Sequence, residues 1–130
     1  MKTRILVVDD EAPIRELLAA YLTKYGYEVV TAASGAEAQR LADGETVHLA
    51  ILDVVLPDTD GMELLAQLKQ GHPNLPAVLL TGIGFDEELL QEAQRCGAAG
   101  YVSKALPLDQ LLMEVRRVLK YTAPQPAEPH

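Results

Sequence analysis

Five residues with chemically active side chains follow short apolar segments, at the positions where strands are expected to end. They are Asp9 and Asp10 after the first segment, Asp53, Thr81 and Lys104. The carboxyl ends of parallel strands meet at one edge of a sheet, so three carboxylates, a hydroxyl and an ammonium would lie together there. Crowded carboxylates repel one another unless they share a proton or a cation, and an all-oxygen cluster suits Mg²⁺. The set predicts a metal-assisted phosphoryl site.

Asp53 is the candidate nucleophile of that site. With Mg²⁺ between Asp53 and an incoming phosphoryl group, the carboxylate could attack phosphorus while the metal and Lys104 neutralise charge on the equatorial oxygens. Thr81 could then donate a hydrogen bond to the new phosphoryl group.

Each of these residues also has a simpler structural explanation. The acids before Pro13 are typical of a helix N-terminus, and Asp53 alone could cap a turn or a helix. Thr81 could be a plain strand end, and a lone Lys104 is usually a solvated loop residue. Their joint occurrence at four strand ends favours the phosphoryl site.

Strands and helices that alternate along the chain must position these residues. Apolar runs predict buried strands at 5–8, 28–32, 49–52, 77–80 and 100–103. Helical periodicity and end signals predict helices that begin near Pro13, Ser34, Asp60, Asp86 and Pro107 and end near Gly26, Gly44, Gly71, Gly97 and Lys120. The alternation predicts a doubly wound α/β fold: a five-stranded parallel sheet of order 2-1-3-4-5 with helices on both faces.

Length, composition and charge exclude several classes of protein. The chain has 130 residues with 48% apolar composition, which suits one domain over residues 1–121, followed by a proline-rich tail or truncated linker at 122–130. A net charge of −8 argues against direct nucleic-acid or anionic-membrane binding. Cys96 is the single cysteine, so no internal disulfide can form. The first apolar run is too short for a signal peptide, and we expect a cytoplasmic protein.

From Lys2 to Lys120 the chain resembles a receiver domain of the two-component response regulators, a CheY-like family with a flavodoxin-like fold. The resemblance rests on Val7-Val8-Asp9-Asp10-Glu11, Leu52-Asp53, Leu56-Pro57, Asp60-Gly61, Thr81-Gly82 and Gly97-Ala98 with Tyr101 and Lys104. It implies that Asp53 accepts a phosphoryl group from a sensor histidine kinase, a phosphotransfer protein or a small acyl phosphate. It also implies that the chain catalyses only its own phosphorylation and dephosphorylation.

The resemblance assigns further roles to single residues. It implies that Asp10 and Asp53 bind Mg²⁺ together with the backbone carbonyl of Val55, and that Asp9 assists through water. Thr81 and Tyr101 would form a switch that alters the surface of the fourth helix, the last strand and the last helix, where an effector docks. A phosphorylation-dependent homodimer is left open. For Tyr101 the simpler explanation is that a tyrosine on a strand packs in the core.

Two departures from the family pattern matter. The family usually has proline, often in a cis peptide, where Ala105 follows Lys104 here, and a cis bond before alanine costs about 3 kcal/mol. The placement of Lys104 is therefore less determined than that of Asp53. Val55 and Ile83 are apolar where the resemblance places residues that tune hydrolysis, so we expect a long-lived phosphoryl-aspartate.

Other functions known for similar folds agree less well with the sequence. A flavodoxin needs a phosphate cradle after the first strand, where this chain has acids. A haloacid-dehalogenase-type phosphatase typically has a second acid two residues after its nucleophile, where this chain has Val55. Gly82-Ile83-Gly84 is too short for a dinucleotide fingerprint. The main alternative is an atypical receiver that docks to proteins unphosphorylated, although such receivers generally lack one or more of the acids. Stand-alone regulator and fragment of a longer protein both remain open.

Overall fold

The computed structural model describes residues 2–82, 87–104 and 107–122, with backbone alone at the last two. Within these residues, five strands alternate with five helices. The strands are β1 (Arg4–Val8), β2 (Glu28–Ala32), β3 (Leu49–Asp53), β4 (Ala77–Thr81) and β5 (Gly100–Ser103). The helices are α1 (Ala12–Lys24), α2 (Gly35–Gly44), α3 (Gly61–Gly71), α4 (Glu87–Arg95) and α5 (Leu108–Thr122). The predicted alternation is confirmed.

All neighbouring strands pair in parallel, in the order β2-β1-β3-β4-β5, as the sequence predicts. Every residue of β3 and β4 is buried, which is typical of strands that are covered on both faces. The order reverses between β1 and β3, so the ends of these two strands flank the crevice where such folds bind ligands.

Two apolar layers cover the sheet. On one face, α1 and α5 pack through Leu18, Leu22, Leu111, Leu112, Val115 and Val118. On the other face, α2, α3 and α4 pack through residues that include Ala38, Leu64, Leu65, Leu68 and Ala93. Burial of these side chains supplies the main driving force of folding, and it fixes the strand ends relative to one another.

Most predicted helix signals are observed. The Ser34 hydroxyl accepts a hydrogen bond from the Glu37 amide at 3.2 Å, while the Glu37 carboxylate accepts one from the Ala33 amide at 2.7 Å. Asp60 caps α3 by accepting from the Glu63 amide at 2.8 Å. The predicted start of α4 at Asp86 lies outside the described residues. Among those described, no helix is long and apolar enough to cross a bilayer.

Three strand boundaries differ from the prediction by one residue. The first strand begins at Arg4, which pairs with Glu28, and not at Ile5. Asp53 and Thr81 are the last residues of β3 and β4 rather than the first residues after them. The reason is that ladder pairing continues through both, with Asp53 opposite Leu80 and Thr81 opposite Ser103. Their side chains therefore project from regular backbone, which holds them more rigidly than a loop would.

Candidate functional site

The crevice beside β1 and β3 contains a cluster of three aspartates. One carboxylate oxygen from each of Asp9, Asp10 and Asp53 lies within 4.8 Å of the other two. Asp9 and Asp53 are buried, with 0% and 3% of their surface exposed, whereas Asp10 is exposed. The structure thus brings these three residues together at one sheet edge, as the sequence predicts.

These acids do not serve as helix caps. Asp60 caps α3, and the carboxylate of Asp58 accepts hydrogen bonds from the first two amides of α2 at 2.9 and 3.0 Å. The N-terminus of α1 has no side-chain cap. Asp53 accepts a bond from the Val55 amide at 3.1 Å, which fixes one of its oxygens. The bond from the Val55 amide makes Asp53 the cap of the turn after β3, as the simpler explanation allows, but Asp53 caps none of the described helices.

Lys104 completes the cluster from β5. Its ammonium nitrogen lies 3.0 Å from a carboxylate oxygen of Asp9 and 3.0 Å from one of Asp53. The backbone amide of Lys104 donates to the Thr81 carbonyl at 2.7 Å, which ties the end of β5 to β4. Lys104 thus reaches the acids although alanine follows it. The conformation of its bond to Ala105 lies outside the described residues.

Glu11 is a site residue that the sequence analysis missed. Its carboxylate lies 2.8 Å from the Lys104 ammonium. In the sequence, Glu11 stands out only as the last residue of the acidic motif. Its position directly after two site acids is the one sequence feature that points to the site. The contact itself joins residues 93 positions apart, so it depends on the fold and not on local pattern.

Burial and charge together set the protonation of the site. Burial raises the pKa of Asp53, and the charge of Asp9 raises it further, while the Lys104 ammonium and the Val55 amide offset part of the increase. Burial alone would lower the pKa of Lys104, but its contacts with the carboxylates of Glu11, Asp9 and Asp53 outweigh burial and raise that pKa well above its usual range. The cluster therefore favours an additional cation near Asp53.

The donor atoms of the cluster fit Mg²⁺. All three aspartates offer oxygen, and the exposed Asp10 leaves room for the water that Mg²⁺ retains. One oxygen of Asp9 is fully buried and lies 3.0 Å from the Lys104 ammonium, yet it accepts no well-aligned hydrogen bond. A buried carboxylate oxygen that accepts no hydrogen bond is stabilised by a cation bound nearby.

The predicted switch residues lie on one face of the sheet. Leu79 is opposite Tyr101 and Thr81 is opposite Ser103, so Thr81 and Tyr101 are diagonal neighbours. Thr81 is buried, and Tyr101 is half-buried against the layer formed by α2, α3 and α4. Tyr101 also lines a groove of about 230 Å³ between α4, β5 and α5. The structure thus makes the two residues neighbours on one face of the sheet, and their role as a switch remains a prediction.

The loop after Asp53 is held close to β3. The amide of Gly61 donates to the Val54 carbonyl at 2.7 Å. A Cβ atom on Gly61 would lie 2.9 Å from the carbonyl carbon of Asp53 and from the Cα of Val54, which real side chains do not tolerate. Glycine at position 61 therefore allows the loop to fold back against the end of β3, and this contact helps to hold Asp53 in position. Val55 is exposed, while Ile83 lies outside the described residues.

The fold and the acidic strand ends define a doubly wound α/β protein with an oxygen-rich site at its topological switch point. A family model described as response regulator receiver domain matches residues 5–116. Because that match covers most of the chain, the protein belongs to the receiver domain family of the two-component response regulators.

Known relatives agree with this assignment. The transcriptional regulatory protein GlrR of Escherichia coli K12 is 35% identical over 120 residues, which are 92% of this chain and 27% of GlrR. The chain spans 27 to 55% of the length of the curated relatives compared.

Two solved structures are similar over nearly their whole length. A CheY-like receiver domain protein from Methanospirillum hungatei superposes with a TM-score of 0.88 at 30% identity, covering 94% of this chain and 97% of that one. The response regulator TrrA of Thermotoga maritima, solved in complex with Mg(2+)-BeF, has a TM-score of 0.81 at 36% identity and covers 92% of this chain and 100% of its own.

Proposed function

We propose that this receiver domain accepts a phosphoryl group on Asp53 from the phosphohistidine of a sensor histidine kinase or a phosphotransfer protein. The observation that carries the proposal is the buried Asp53 carboxylate, within 3.0 Å of the Lys104 ammonium and in the same cluster as Asp9 and Asp10. A purely structural carboxylate has no need of two further acids beside it.

The chemistry is a displacement at phosphorus. A carboxylate oxygen of Asp53 forms the new oxygen–phosphorus bond as the nitrogen–phosphorus bond of the donor phosphohistidine breaks, and the imidazole leaves with the electron pair and takes up a proton. Lys104 stabilises negative charge on the transferring group, and Thr81 donates a hydrogen bond to it. Loss of the phosphoryl group to water restores Asp53, and the proposed catalysis is limited to the chain's own phosphorylation and dephosphorylation.

Mg²⁺ is the proposed cofactor. Asp10, Asp53 and the Val55 carbonyl would hold it directly and Asp9 through water, and the bound ion would neutralise charge on the phosphoryl oxygens. The likeness to TrrA, whose structure contains magnesium with beryllium fluoride, supports this assignment.

The output of the domain is proposed to be a change of surface. When Asp53 carries phosphate, Thr81 moves toward it and Tyr101 turns inward, which reshapes the face of α4, β5 and α5 for an effector or for a second copy of the chain. Such a domain biases a pre-existing equilibrium. The half-buried position of Tyr101 beside the groove supports this proposal. The partners proposed are proteins, in the cytoplasm, with no direct contact to nucleic acid or membrane.

The mass of the intact protein tests the proposal. Incubation with Mg²⁺ and acetyl phosphate should add the mass of one phosphoryl group to the wild type and none to Asp53→Asn. Asp43→Asn is a matched control, because Asp43 is exposed and lies on α2 outside the cluster, and it should be modified like the wild type. Equal modification of Asp53→Asn would refute the assignment of the acceptor.

A further inference from the structure

The Glu11 carboxylate contacts the Lys104 ammonium from the solvent side of the site. The side chain of Glu11 is 59% exposed, compared with 5% for Asp53, 0% for Asp9 and 15% for Lys104. At 2.8 Å the Glu11 contact is also the shortest of the three. Lys104 therefore has two buried carboxylate partners and one at the mouth of the site.

Within the described part of the chain, the Glu11 carboxylate has no other contact that would explain the direction of its side chain. It occupies the N-cap position of α1, yet its carboxylate makes no capping bond. Its backbone is fixed on both sides, because its amide donates to Asp9 at 2.9 Å and its carbonyl accepts from the amides of Ile14 and Arg15 at 3.1 Å. The rigid backbone presents the carboxylate to Lys104.

A phosphoryl group on Asp53 would compete with Glu11 for the ammonium of Lys104. Glu11 and Asp53 are the two carboxylates to which that ammonium donates well-aligned hydrogen bonds. The backbone of Asp53 lies in β3, so its side chain has little freedom to withdraw. Glu11 can return to water at small cost, because its side chain is 59% exposed and ion pairs at the protein surface contribute little to stability.

We propose that Glu11 is a positioning residue: it holds Lys104 over the site in the resting protein and releases it when a phosphoryl group occupies Asp53. The inference rests on the proposed function, and it adds a residue whose contact opposes the phosphorylated state. Loss of the Glu11 contact should therefore tighten binding of a phosphoryl analogue by roughly 1.4- to 5-fold, the range expected of one ion pair at the protein surface.

Beryllofluoride binding tests this competition. Its dissociation constant would be measured at saturating Mg²⁺ from amide chemical shifts, for the wild type, Glu11→Ala, Glu11→Asp and Glu16→Ala. Glu11→Asp keeps the negative charge but shortens the side chain. It therefore distinguishes loss of the contact with Lys104 from loss of net charge. Glu16 is an exposed acid on α1 and serves as the control for removal of one negative charge.

A second measurement needs neither metal nor analogue. In a side-chain ¹H–¹⁵N spectrum of the metal-free wild type, the Lys104 ammonium should give a slowly exchanging signal, because its hydrogens are held by carboxylates. That signal should broaden in Glu11→Ala and in Glu11→Asp but not in Glu16→Ala.

The outcomes separate this inference from the proposed function. Tighter binding in both Glu11 variants, with Glu16→Ala unchanged, supports the competition. Unchanged or weaker binding in the Glu11 variants overturns it, and so does tightening in Glu11→Ala with wild-type binding in Glu11→Asp, which would indicate a general effect of charge. If the wild type itself fails to bind beryllofluoride, the proposed function fails, and the Lys104 signal still reports whether Glu11 positions the lysine.

Discussion

The ammonium of Lys104 lies 3.0 Å from the carboxylate of Asp53, although 51 residues separate the two along the chain. Asp53 is the last residue of β3 and Lys104 follows β5, and these two strands are not neighbours, because β4 lies between them in the sheet. The contact therefore forms above the end of β4, where Thr81 is also located. The carboxylate of Asp53, the ammonium of Lys104 and the hydroxyl of Thr81 therefore lie at the same edge of the sheet.

Replacement of Lys104 tests whether that cation acts on the transferring group. Lys104→Ala should slow phosphorylation by acetyl phosphate roughly 100-fold, comparable with the loss of one preorganised donor in other active sites. The rate would be followed by intact mass over time. Lys24→Ala removes an exposed lysine of α1 and should leave the rate unchanged. A wild-type rate in Lys104→Ala would show that the lysine is only structural.

The close approach of Gly61 to Asp53 predicts a position-specific effect of alanine. Gly61→Ala should lower the free energy of unfolding by about 1–3 kcal/mol, because its Cβ would overlap the backbone of β3. Gly71→Ala lies at the other end of α3, where nothing lies within 4 Å of a Cβ, and should be neutral. Urea unfolding measures both. Equal stability of the two variants would contradict the described packing.

Asp58 links the loop after β3 to the start of α2. Its bonds to the amides of Gly35 and Ala36 hold the pKa of its carboxyl below the usual range. Asp58→Ala should lower the free energy of unfolding, as loss of a helix cap does. Because the lowered pKa makes this contribution present at neutral pH and lost on acidification, the difference from wild type should shrink as the pH falls below about 4. A difference that is independent of pH would contradict the capping role.

The raised pKa of Asp53 predicts the opposite dependence on pH. The metal-free folded protein binds the Asp53 proton more tightly than the unfolded chain, so its ionisation destabilises the fold as the pH rises. Asp53→Asn should therefore be more stable than the metal-free wild type at neutral pH, and the difference should vanish below the ordinary aspartate pKa of about 3.9. Urea midpoints measured across pH check this. A less stable Asn variant at neutral pH would show that the Lys104 contact outweighs burial.

Mg²⁺ should reverse that order of stability. An ion that binds only the folded state raises the free energy of unfolding by RT ln(1 + [L]/Kd), where [L] is the concentration of the free ion. Asp53→Asn removes one of the side chains proposed to hold Mg²⁺. Added Mg²⁺ should raise the melting temperature of the wild type more than that of the variant, and a chelator should abolish the gain. Equal gains in both proteins would place the ion elsewhere.

Local pattern predicts the fold and most of the site. The positions of Asp9, Asp53, Thr81 and Lys104 could be predicted because each lies at the end of an apolar strand or directly after it. Parallel strands have their carboxyl ends at one edge of the sheet. The exact strand limits were off by one residue at Asp53 and Thr81, because ladder pairing decides where a strand ends.

The contacts that could not be predicted from the sequence join residues that are far apart along the chain. Glu11 contacts Lys104 across 93 residues, and Asp58 caps a helix that begins 23 residues earlier. Both are exposed acids on an acidic chain, so nothing in their own neighbourhood separates them from solvated surface residues. Only the packed sheet and its helices determine their partners.

The amide spectrum of the protein with Mg²⁺ and beryllofluoride tests the central claim most directly. We expect large shifts only when both are present, centred on Asp53, Thr81, Lys104 and Tyr101, and absent from Asp53→Asn. A wild-type spectrum that does not respond, or an equal response in Asp53→Asn, would contradict the claim that these clustered acids form a magnesium-dependent phosphoryl acceptor.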